Sequence, residues 1–140
     1  MSARLFADMA PAQALGITVA DYSNGRIVLA APLKLNLNDK GTAFAGSISS
    51  MLLLAGWSAI TLRLQEVGIK ADVMVVKSET EFTAAARSAL FAEAIISEAE
   101  MVPVIQSMEE CGRSRTCVKA LLHSANETCA RSTAHYAVVG

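Results

Sequence analysis

Charged side chains make up only 18 % of this 140-residue chain and aromatic ones 5 %, against 53 % hydrophobic residues. Lys and Arg total 12 against 13 Asp and Glu, for a formal net charge of −1, and no basic run is present. That balance argues against nucleic acid as the main partner, because a polyanion is held by clustered cations. Cysteine is also scarce. Cys111, Cys117 and Cys129 form an odd set without close paired spacing, as expected in a reducing, cytoplasmic setting. The first residues carry Asp8 where a secretory signal would need its apolar core, so no signal peptide is expected.

Several catalytic arrangements are missing too. There is no Gly-x-Ser-x-Gly elbow, and the only two histidines, His123 and His135, fall on the polar face of a terminal hairpin. Gly41 to Gly46 lacks both the spacing and the following Lys of a phosphate loop. Cys117, His123, Cys129 and His135 recur every six residues and suggest zinc. In a hairpin centred on Asn126, however, His123 opposes Cys129 and Cys117 opposes His135. The two pairs then lie about 20 Å apart at roughly 3.3 Å per residue, too far for one tetrahedral ion. No metal and no cofactor are expected.

What the chain does have is one long uncharged segment, the 22 residues from Gly41 to Leu62. Its length allows a membrane span. Its six hydroxyl side chains, its three glycines and the amphipathic strands around it favour instead a core helix wrapped by a sheet. The spacing predicts that helix over Ala43 to Glu66, about 35 Å long at 1.5 Å per residue.

Around it the pattern predicts a helix over Ser2 to Leu15 and strands over Ile17 to Tyr22 and Arg26 to Pro32. Asn24-Gly25 joins those strands as a hairpin turn. Strands follow over Asp72 to Thr83 and Ala89 to Ala99, then a short helix or turn over Pro103 to Cys111. The last two strands, Ser114 to Ser124 and Thr128 to Val138, are joined over Ala125-Asn126-Glu127. On the long strand, alternation puts Met74, Val76, Ser78, Thr80 and Phe82 on one face. The reading is a single α+β domain over residues 1–140. So apolar a chain implies an oligomer with a large shared interface.

The polar knot before the central helix is the candidate site. Asn36, Asn38, Asp39, Lys40 and Thr42 precede Phe44, Ala45, Gly46 and Ser47. A helix start offers free N–H donors and a partial positive charge, a setting that can bind and polarise a carbonyl. The plain alternative is that Asn38, Asp39 or Thr42 caps the helix, or that the knot is an ordinary surface turn.

The string Asn38-Asp39-Lys40-Gly41-Thr42-Ala43-Phe44-Ala45-Gly46-Ser47, followed by Leu54-Ala55-Gly56-Trp57, resembles the YiiD C-terminal-type putative thioesterase family of the hotdog-fold superfamily. The resemblance implies a long central helix wrapped by a curved antiparallel sheet of about six strands. It implies a homodimer, or a dimer of dimers, with continuous sheets and no membrane span. It also implies an acyl-CoA or acyl-carrier-protein thioester as substrate, held in a tunnel along the subunit interface. Many hotdog thioesterases carry His-Gly-Gly where this chain has Phe44-Ala45-Gly46, and an acid nine residues past that histidine, where this chain has Leu53.

The helix has no acid before Glu66, so the expected carboxylate is Asp39, as general base or nucleophile. Asn38 would orient the carbonyl or water. Gly41, Thr42, Ala45, Gly46 and Ser47 would form the carbonyl pocket, and Ser78 would hold water. Phe44, Met51 and Phe82 would line the acyl channel. If the missing acid means lost chemistry, the alternative is a non-catalytic acyl-thioester, lipid-binding or dimerisation module.

Overall fold

A computed structural model describes residues 2–140. Two short helices, α1 (Ser2–Leu5) and α2 (Ala10–Ala14), lead into the hairpin β1 (Thr18–Ser23) and β2 (Arg26–Ala31). The central helix α3 (Ala45–Glu66) follows, then β3 (Asp72–Phe82), β4 (Leu90–Ile95), α4 (Glu98–Cys111), β5 (Arg113–Ser124) and β6 (Glu127–Val139). The six strands form one antiparallel sheet in the order β1-β2-β4-β5-β6-β3. This sheet curls around α3 as the hotdog resemblance implies.

The helix that is long and apolar enough to cross a membrane is therefore the core helix of a sheet. Met51, Leu52, Ala55, Ala59 and Ile60 on α3 are buried against Ile27, Leu29, Leu90, Ala120, Leu122 and Val138. Alanines at 92, 94, 120, 130 and 134 line the sheet's inner face and let the helix axis approach closely. Met51, expected in the acyl channel, is fully buried in this core.

Four local expectations change. The N-terminal helix is broken between Leu5 and Ala10, because Pro11 opens α2 and cannot donate into a preceding turn. The strand drawn from Ala89 to Ala99 stops at Ile95. Ser97 Oγ accepts from Glu100 N–H while the Glu100 side chain accepts from Ser97 N–H, and this capping box starts α4 five residues before Pro103. Pro103 lies inside that helix on its exposed side.

The β5–β6 turn has two residues rather than three. Ala125 and Asn126 both have positive φ (50° and 62°), and Ser124 pairs with Glu127. A bulge then pairs His123 with Thr128 instead of Cys129, and Cys129 turns into the core while Cys117 does oppose His135.

The fourth change is on β3. Val75 pairs with Tyr136 and Lys77 with His135, so Val76 is an extra residue. It shifts the alternation by one. The inner face carries Val73 and Val75 before the bulge and Ser78, Thr80 and Phe82 after it, while Met74, Lys77, Glu79 and Glu81 face outward. β3 is an edge strand, so most of this inner strip stays uncovered: Val75 is 45 % exposed and Phe82 49 %.

Candidate functional site

The knot before α3 is a rigid loop built around Asn38. Its Oδ1 accepts from the N–H groups of Lys40 (2.8 Å) and Thr42 (3.1 Å), and its Nδ2 donates to Thr42 Oγ1 (2.8 Å). Asn38 N–H also donates to Thr42 O, and Leu37 bridges to Ala43. Gly41, at φ 77°, supplies the left-handed turn that returns the chain. Asn38 thus spends its amide on the loop.

Two further ties hold the loop to the body. Buried Asn36 donates through Nδ2 to Leu15 O (2.9 Å) and Pro32 O (2.8 Å), which joins it to α2 and to the end of β2. Ala43 N–H donates to Ala86 O, and Phe44 N–H to Asn36 O. The backbone is therefore fixed up to the first residue of α3.

Beyond that point the donors are free. Phe44 occupies the N-cap position in an extended conformation, and no side chain caps the helix. The first turn closes with Ile48 N–H on Phe44 O. Among the described residues, the N–H groups of Ala45, Gly46 and Ser47 have no partner. The capping alternative is thus overturned: Asn38 and Thr42 bond each other, and Asp39 bonds Lys40. A 22-residue helix directs its partial positive charge at this open end.

The Phe44 ring lies over Gly46, where a Cβ would collide with it, and is itself 53 % exposed. From Gly46 a half-buried stripe runs along α3 through Ser50, Leu53, Leu54 and Trp57 at helical spacing. Beside it, α2 and the turn before it complete an apolar cleft of about 420 Å³, lined by Met9, Pro11, Leu15, Ser50, Leu53 and Leu54 with Asp8. Sequence reasoning missed Asp8, which no periodic pattern links to α3.

The other expected residues scatter. Asp39 projects into solvent, its side chain 82 % exposed, and pairs with Lys40 Nζ at 2.9 Å. Ser78 lies on the inward face of β3, as predicted, but is exposed because β3 is the sheet edge. Phe82 lies further along the same uncovered strip. Thr42 and Ser47 are buried; Ala45 is exposed and Gly46 partly so.

The fold recurs in solved structures. A protein of unknown function from Chlorobaculum tepidum superposes with a TM-score of 0.91 at 24 % identity, over 97 % of this chain and 90 % of that one. A protein described as a putative thioesterase from Shewanella oneidensis gives 0.85 at 21 % identity, over 98 % and 96 %. A probable thioesterase from Pseudomonas aeruginosa gives 0.86 at 19 % identity, over 99 % and 92 %. At such identities these likenesses speak for the fold. No curated protein matches the sequence. The family described as "Putative thioesterase (yiiD_Cterm)" matches residues 3–140, nearly the whole chain, and it is to this family that the chain belongs.

Proposed function

We propose that the chain hydrolyses acyl thioesters, of coenzyme A or of an acyl-carrier protein, at the open end of α3. One observation carries this reading: the N–H groups of Ala45, Gly46 and Ser47 are uncapped and stand where a half-buried apolar stripe begins. A thioester carbonyl seated there gains hydrogen bonds and the helix field, and both strengthen as negative charge develops on its oxygen. Asn38 holds the loop that keeps those donors in place. Phe44 and the stripe receive the acyl chain, with Phe82 and Ser78 on the open edge of β3.

That open edge is where a second copy would pair to make a homodimer with a continuous sheet. Asp39, the general base or nucleophile on the sequence reading, enters the reaction only with a partner chain or substrate packed over it. Hydrolysis needs water and no cofactor. A cytoplasmic location suits such a substrate.

The test is purified protein against a panel of acyl-CoA and acyl-carrier-protein thioesters, with release of free thiol followed by a chromogenic disulfide. Turnover of at least one chain length is the expected result, and hydrolysis that survives both Asp39→Ala and Asp39→Asn removes Asp39 from the mechanism. A second reading, non-hydrolytic binding, draws on the absence of any carboxylate on α3 before Glu66. Saturable binding without thiol release would favour it.

A further inference from the structure

We infer that Asp8 is the carboxylate that activates water in this site; the inference rests on the thioesterase reading above. Gly46, Ser50, Leu53 and Leu54 lie at i, i+4, i+7 and i+8, so one stripe of α3 leads from the free N–H groups to the cleft. Ser50 sits about 6 Å along the axis from Gly46, at 1.5 Å per residue. Ser50 and otherwise apolar side chains, among them Met9, Leu15, Leu53 and Leu54, wall the cleft, and Asp8 is the one ionisable side chain that lines it.

Asp8 is exposed at the rim of the cleft and makes no hydrogen bond or ion pair among the described residues, so its carboxylate is free to act once an acyl chain covers the cleft. The backbone around it is nevertheless held: Gln13 Nε2 donates to Phe6 O (3.0 Å) and Ala7 O (2.8 Å), and Met9 N–H donates to Phe6 O. A free carboxylate on a fixed turn, beside an apolar cleft that shares one stripe of α3 with the carbonyl-binding end, suits a general base that acts on water between the two.

The step balances without a co-reactant. Asp8 takes a proton from water as the water oxygen attacks the thioester carbon, and the N–H groups of α3 hold the resulting oxyanion. Collapse breaks the carbon–sulfur bond. The proton passes from Asp8 to the leaving thiolate, which releases a carboxylic acid and a thiol and restores the carboxylate.

The test compares wild type, Asp8→Asn, Asp8→Glu and Asp8→Ala on the best thioester of the panel, with thermal melts to confirm folding. Expected are a fall of at least about a hundredfold in kcat for Asp8→Asn, a KM within about threefold, partial activity for Asp8→Glu, and rescue of Asp8→Ala by added formate. An active wild type whose Asp8→Asn variant keeps its kcat, above all if Asp39→Asn loses it, overturns the assignment of Asp8 and leaves the thioesterase reading standing. A wild type that turns over no thioester overturns both.

Discussion

The Tyr136 hydroxyl donates to the carbonyl oxygen of Leu53 at 2.7 Å, reaching from the sheet into the middle of α3. Gly56 makes room for it, because a Cβ there would collide with the phenol. This contact fixes the rotation of the helix against the sheet, and so decides that Ser50, Leu53 and Leu54 face the cleft. Gly56→Ala is expected to lower stability by about 1–3 kcal/mol through overpacking. Tyr136→Phe, which keeps the ring, is expected to cost about 1 kcal/mol. Urea denaturation of both variants checks the order.

Both tyrosines make stability sensitive to alkali. Burial pushes the Tyr136 phenol well above its ordinary range. Burial, and then the hydrogen bond to Glu66, do the same for Tyr22. Because the folded values are raised, this stabilisation is fully present below the unfolded tyrosine pKa of about 10 and is lost as pH rises above it. The urea midpoint should therefore hold steady through neutral pH and fall above about pH 10. Tyrosinate absorbance should appear together with unfolding, and Tyr136→Phe should flatten the fall.

Ser97 starts α4 with a reciprocal cap. Ser97→Ala is expected to cost about 1 kcal/mol, read as a lower melting temperature with activity unchanged.

Ala125 stands at φ 50°, a conformation in which its Cβ is strained. Ala125→Gly relieves that strain at the tip of the β5–β6 hairpin. The expected gain, after the extra entropy of the unfolded glycine, is about 0.5–1 kcal/mol, measured as a rise in the denaturation midpoint.

Val75 and Phe82 stand exposed on the inward side of the β3 edge. If a second copy pairs there, placing Lys at both positions puts charge into the joint. Light scattering behind a sizing column should then report a monomer where the wild type gives a dimer. A wild type that runs as a monomer itself would remove β3 as a pairing edge.

The fold was largely legible in the residues. Asn24-Gly25 marked its hairpin, and the uncharged run to Leu62 marked the core helix. The Asn38 to Ser47 string pointed to the family whose description matches residues 3–140. The misreadings arise where one residue changes the geometry locally. Val76 and Cys129 are single insertions against a partner strand, and alternation cannot reveal an insertion whose partner lies elsewhere in the chain.

The site was legible at its helix end and hidden at its cleft. Asn38 looked like a ligand and serves as the keystone of its own loop, because an amide suits both tasks. Asp8 gave no signal at all. Its nearness to Leu53 arises only from the way α2 folds onto α3.

The extra residue at Val76 acts as a change of parity. Upstream of it, odd-numbered positions of β3 turn toward the helix; downstream, even-numbered ones do. Had the count run on unbroken, Lys77, Glu79 and Glu81 would face inward, and the open margin of the sheet would be lined with charge. One inserted valine thus keeps that margin uncharged while leaving three charged side chains in water. Pairing Val76 in regular register would invert the chemistry of the edge, whereas deleting it would leave Lys77 opposite His135 and every face as it is.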